Sequence, residues 1–138
     1  CGNGRLKGMS PEEFRNRTKQ FSLRVIRVVE SLPRDTVSRT LGNQLLRSGT
    51  SVAANYRAAS RAKSPADFIA KMGIVEEETD ESLFWMELLI DSNRIRPEPL
   101  FPLMKEGREI LAMTVASITT SRRTQGGQRQ AVPERISG

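Results

Sequence analysis

Histidine is absent from the 138 residues and cysteine occurs once, at Cys1. Without imidazole there is no Ser-His-Asp triad and no Cys-His nucleophile pair, and a single thiol completes neither a Cys/His zinc site nor an internal disulfide. Aromatic residues make up only 5% of the chain and are not interleaved with its basic residues, so platforms for stacking bases are lacking. No run approaches the roughly 18 apolar residues of a transmembrane helix. The opening Cys-Gly-Asn-Gly-Arg-Leu-Lys-Gly has no apolar signal region. Together these absences predict a cytoplasmic protein with no membrane partner, no catalytic set, and no metal or other cofactor.

What remains is rich in Leu, Ile, Val, Ala and Met and long enough for one domain. Ser10-Pro11-Glu12-Glu13 reads as an N-cap, a first-position proline and acids at the positive end of a helix dipole. Phe14, Thr18, Phe21, Val25, Val28 and Leu32 then recur at helical spacing until Pro33. A second periodic run, Leu41, Leu45, Ser48, Val52, Tyr56 and Ala59, predicts a helix bounded near Asp35 and Ser60. It contains Gly42 and Gly49, each costing about 1 kcal/mol relative to Ala in a helix interior. The small neighbours Ser48, Ser51, Ala53 and Ala54 favour close approach of another helix over a break.

Ser64-Pro65-Ala66-Asp67 repeats the first start signal and opens a third helix with Phe68, Met72, Val75, Thr79, Leu83, Met86 and Ile90 on its stripe, ended by Pro97 and Pro99. Ile69, Trp85, Leu88 and Leu89 widen its apolar surface beyond what one core needs, which points to an oligomer interface. A fourth helix is expected from about Leu100 to Thr120. The simplest packing is an all-α, antiparallel up-down-up-down four-helix bundle over residues 10–120, with a flexible segment 1–9 and a disordered basic tail 121–138.

The net charge of +6 is unevenly placed. Residues 1–63 hold 13 Lys/Arg against 4 Asp/Glu, residues 64–100 hold 3 against 9, and residues 101–138 hold 6 against 3. Such a basic half either neutralises phosphates or pairs with the acidic third helix. Arg17, Arg24, Arg27, Arg39, Arg57, Arg61 and Lys63 are the candidate phosphate contacts, expected to be backbone-directed and indifferent to base sequence. Glu76, Glu77, Glu78, Asp80 and Glu81 have the i, i+4 spacing of helical metal ligands, but di-metal bundles add Glu-x-x-His motifs that this chain cannot form. These acids are expected to pair with Arg47 or Arg57 across helices or subunits instead, fixing register more than stability. Arg47-Ser48-Gly49-Thr50-Ser51 lacks phosphate-loop spacing and falls inside a helix, where its N–H groups are occupied. It reads as a close-packing site. Arg47, Ser48, Gly49, Tyr56, Phe68, Met72, Glu77 and Trp85 form the expected helix-packing or subunit-contact set.

Four segments in order, Gln44 to Ala59, Asp67 to Met72, Glu76 to Ser82 and Trp85 to Leu89, together with Phe21 to Ile26 and Leu32-Pro33, carry a family resemblance over residues 12–120. The chain resembles the bacterial four-helix-bundle proteins encoded within intervening sequences of 23S ribosomal RNA genes. The resemblance implies a homopentamer with no known enzymatic activity. More distantly the chain is similar to the accessory variability determinant of diversity-generating retroelements, which implies nucleic acid and a reverse transcriptase as partners. Two functions are therefore expected: a homo-oligomeric scaffold whose basic surface binds RNA or DNA, or an adaptor that recruits an enzyme such as a reverse transcriptase or nuclease without touching nucleic acid.

Overall fold

A computed structural model describes residues 9–137, with side chains to Gly126. The described chain forms four helices and no strand: α1 (Pro11–Glu30), α2 (Thr36–Ala59), α3 (Pro65–Asp91) and α4 (Pro97–Ser137). Residues 1–8 of the N-terminal segment lie outside the described residues, and Met9 is already packed against the core.

The helix starts follow the cap chemistry. Ser10 Oγ accepts from Glu13 N at 3.1 Å while Ser10 N donates to Glu13 Oε1 at 3.1 Å, so two otherwise orphaned donors satisfy each other's side chains. Asp35 caps α2 by accepting from Ser38 N at 2.9 Å, and Ser64 caps α3 by accepting from Asp67 N at 3.0 Å. Both bounds expected for α2 agree with Thr36–Ala59, and the helix runs unbroken through Gly42 and Gly49.

Three boundaries differ from expectation. α3 stops at Asp91, ahead of Pro97, because Asn93 adopts φ 62°. Asn93 N and Arg94 N then donate to the Ile90 and Leu89 carbonyls, the paired bonds of a Schellman stop, and asparagine tolerates the left-handed backbone that this stop demands. α4 begins at Pro97 instead of Leu100, since the first four N–H groups of a helix have no intrahelical partner and Pro97 and Pro99 forfeit no bond there. It also continues as helix beyond Thr120, through Ser137, where irregular chain was expected. No proline interrupts residues 121–132, and Arg122 and Gln125 line one depression with Ala66 and Ile69 at the start of α3, so the helix keeps a neighbour past its apolar period.

The core is built from the predicted stripes. Phe21, Val25, Leu45, Val52, Met72 and Met86 are fully buried, and Ile110 adds the α4 contribution. α3 packs broadly on both α2 and α4, α1 on α2, and the α1–α4 contact is narrower than these three. Phe14 stacks on Tyr56 with ring centroids 4.4 Å apart. Two positions explain the glycines: a Cβ on Gly49 would lie 2.5 Å from Val25 Cγ1, and one on Gly107 would lie 3.0 Å from Leu83 Cδ2. Close approach is the reason for Gly49, as its small neighbours suggested.

Candidate assembly face and nucleic-acid interface

The expected packing set divides by location. Ser48 and Gly49 are buried at the meeting of three helices: Ser82 Oγ donates to Ser48 Oγ at 3.0 Å across α2–α3, and Ser22 Oγ donates to the Gly49 carbonyl at 2.6 Å across α1–α2. These hydroxyls replace bulk with polar contacts that place each helix in register. Met72 and Tyr56 are core residues, with Tyr56 Oη donating to the Pro11 carbonyl at 3.4 Å. Burial, partly opposed by the Arg15 charge, raises the phenol pKa. Phe68 is half-buried and backs the same end of the core.

Arg47 meets the acidic helix as anticipated, donating to Glu81 at 2.9 Å and to Glu78 at 3.5 Å. Glu77, which the sequence reading put in this set, is exposed. Glu78 Oε1 is buried without a donor among the described residues, and desolvation raises its pKa against the opposing pull of Arg47. Trp85 is half-buried, edge-on to Phe84 at 5.1 Å, and its indole N–H is buried with no acceptor among the described residues. Phe84 is 48% exposed, and Ile74, about three turns earlier on the same helix, is 40% exposed. Phe84 and Ile74 escaped the sequence reading because they sit off the helical stripe. Their only signal was that α3 carries large apolar residues on the face turned away from its core.

The basic candidates divide too. Arg17 is an internal clamp, its guanidinium donating to Glu106 at 2.9 and 2.7 Å and to Glu109 at 2.9 Å, so that it ties α1 to α4. Its hydrogen bonding to the Glu106 carboxylate is the main cause that raises its pKa. A fork of this kind holds the cation in place and leaves it little to offer a phosphate. Arg27, Arg39, Arg57, Arg61 and Lys63 are exposed and Arg24 is half-buried. None of these six forms an ion pair among the described residues. Arg57, offered as a partner for the acidic helix, makes no such contact there. Elsewhere Arg94 donates to Asp35 at 3.4 Å, and Asp35, held mainly by the Ser38 backbone N–H and hydroxyl, has its pKa lowered to about 2.

Among the described residues no cluster of three or more His, Cys, Asp or Glu side chains has the geometry to hold a metal ion, and no helix is long and apolar enough to cross a membrane. No functionally curated protein matches the chain. A solved structure from Bacteroides thetaiotaomicron VPI-5482, described as a protein of unknown function from the S23 ribosomal protein family, is 32% identical, covers 80% of this chain and 99% of its own, and superposes with a TM-score of 0.75. Residues 13–116 match the 23S rRNA-intervening sequence protein family, so this four-helix bundle belongs to that family.

Proposed function

We propose that the protein is a non-enzymatic scaffold of several identical chains that binds RNA or DNA through its backbone phosphates, in the cytoplasm. The observation that carries this reading is the state of the cations. If the basic half existed to neutralise α3, its arginines would be paired with the acids of that helix. Instead only Arg47 reaches them, and six candidates keep their charge unpaired among the described residues. Unpaired exposed cations release phosphate counterions on contact, which produces salt-dependent, sequence-tolerant affinity.

Self-association rests on α3. Exposed Phe84, edge-on to half-buried Trp85, presents apolar surface on a helix already packed on two neighbours, with exposed Ile74 about three turns earlier, and covering that surface with a second copy removes it from water. Contacts that run in opposite order along neighbouring elements, Pro11 with Tyr56 and Val25 with Gly49, then Asp35 with Arg94 and Ser48 with Ser82, support an up-down-up-down bundle, and the family resemblance supports five copies.

Fluorescence anisotropy with labelled RNA and DNA over a salt series tests nucleic-acid binding; no binding of either at low salt refutes it and leaves the adaptor as the alternative. Sedimentation tests assembly, with Phe84→Glu expected to yield monomers of unchanged helicity and a wild type that is already monomeric counting against the scaffold.

A further inference from the structure

We propose that the nucleic-acid backbone seats at one end of the bundle, where the corner between α2 and α3 meets α4, on five exposed cations: Arg57, Arg61, Lys63, Arg122 and Arg123. This rests on the reading that the chain binds nucleic acid, and it selects among the basic residues. The two groups are about 60 positions apart in sequence, and their chain neighbours line one cleft, which sets both groups at the same end of the bundle. An open cleft of about 420 Å³ is lined by Tyr56, Ser60 and Ser64 on one side and Thr120, Ser121 and Thr124 on the other. Next to it, Arg122 and Gln125 flank a second depression with Ala66 and Ile69.

The cleft is chemically suited to phosphate oxygens. Ser64 Oγ accepts from Asp67 N, so its own proton is free to be donated outward. The Thr120 and Ser121 hydroxyls make no hydrogen bond among the described residues, which leaves further donors between the two cation groups. The local acid, Asp67, is already bonded by Lys63 N at 3.1 Å and Lys71 Nζ at 2.7 Å, and these bonds lower its pKa. Glu12 and Glu13 stand on the first turn of α1, whose Pro11 borders the cleft, so the path for a phosphate chain lies on the side of α2, α3 and α4. At the opposite end Arg94 pairs with Asp35 and Arg96 lies 3.9 Å from Glu98, while Arg34 and Arg39 stay exposed and unpaired among the described residues without a cleft of hydroxyl donors like this one between them. No aromatic ring is exposed at the seat: Tyr56 is buried and Phe68 half-buried, so the contact is to backbone and not to bases.

The test compares the full-length chain with Arg57→Gln/Arg61→Gln/Lys63→Gln, with Arg122→Gln/Arg123→Gln on a separate element, and with Arg24→Gln/Arg27→Gln/Arg39→Gln, using a short DNA duplex and an RNA strand as probes. If all five cations meet phosphates of the duplex, affinity should fall about 500-fold per protomer between about 50 and 200 mM salt, and only about 10-fold once the corner triple is removed. The α4 double variant should flatten the slope in the same sense, and the α1–α2 triple should change it least per charge removed. Should the α1–α2 triple flatten the slope while both end variants keep it, the seat is elsewhere and nucleic-acid binding still stands. A wild type that binds neither probe overturns the seat and the binding together. Circular dichroism of each variant confirms retained helicity, expected because all five side chains are exposed.

Discussion

Gly49→Ala tests how α1 and α2 are held together. At an open helical site this change stabilises by about 1 kcal/mol, because alanine loses less backbone entropy than glycine. At Gly49 the new carbon would stand 2.5 Å from Val25 Cγ1 and 2.9 Å from its Cβ and Cγ2. That is about 1 Å inside the favourable carbon–carbon separation of roughly 3.5–4.0 Å. Val25 has no room to give: it is fully buried, and a β-branched side chain in a helix has one strongly preferred rotamer. The helices must separate, and the 2.6 Å bond from Ser22 Oγ to the Gly49 carbonyl stretches with them. Overpacking costs about 1–3 kcal/mol and a weakened buried hydrogen bond about 1 kcal/mol. Set against the gain in propensity, the net is a loss of about 1–3 kcal/mol. Urea unfolding followed by circular dichroism, at one fixed protomer concentration because assembly adds concentration-dependent stability, should show a midpoint lower by about 1 M. Gly73→Ala is the reference, since nothing lies within 4 Å of a Cβ there, and it should stabilise by up to about 1 kcal/mol. Adding Val25→Ala to Gly49→Ala removes the clashing methyls, so the pair should be less destabilised than the sum of the single changes by at least about 1 kcal/mol. If Gly49→Ala stabilises as Gly73→Ala does, close approach is not the reason for the glycine and the packing argument is wrong.

Arg17→Ala should destabilise by about 1 kcal/mol, because it opens the narrow α1–α4 contact and strands Glu106, yet leave nucleic-acid affinity unchanged; thermal melts and anisotropy on one preparation read both. For Asp35 the folded pKa of about 2 lies below the ordinary 3.8, so its cap and ion pair stabilise the protein above that ordinary value and are lost as pH falls towards 2. Asp35→Asn keeps a capping oxygen and should remove this part of the acid sensitivity, measured as the slope of melting temperature between about pH 4 and pH 2. Glu78 has the opposite sign: burial raises its pKa, so its ionisation costs stability as pH climbs through the carboxylate range. Glu78→Gln should therefore raise the melting temperature slightly at neutral pH and have no such advantage in acid, with Glu81 keeping the shorter contact to Arg47; an unchanged difference across pH would show that desolvation of Glu78 is not the cause.

Much of the fold was legible because its signals are local. Ser10, Asp35 and Ser64 announce helices through bonds made within three residues, and the stripe from Phe14 to Val25 or from Met72 to Met86 needs only the helical period to be seen. The end of α3 was misplaced because a left-handed asparagine gives a fainter signal than a proline. The length of α4 was underestimated because a polar segment such as Ser121 to Gln125 has no apolar period to announce a helix. Arg17 shows the same limit for function. Its one-letter context is that of any exposed arginine on an outer face, and only folding brings Glu106 and Glu109, some 90 positions away, against it.

Composition and periodicity by themselves determined that this protein is an all-α bundle without histidine chemistry, since missing side chains remain missing in any fold and amphipathic period is a property of consecutive residues. Tertiary structure alone decided which charges are neutralised and which stay free. Ion pairing depends on distances of a few ångströms between residues from different helices, and sequence spacing does not encode those distances. The +6 chain was basic on paper; the packed bundle closes the Arg17 and Arg47 contacts and leaves Arg57, Arg61, Lys63, Arg122 and Arg123 facing solvent.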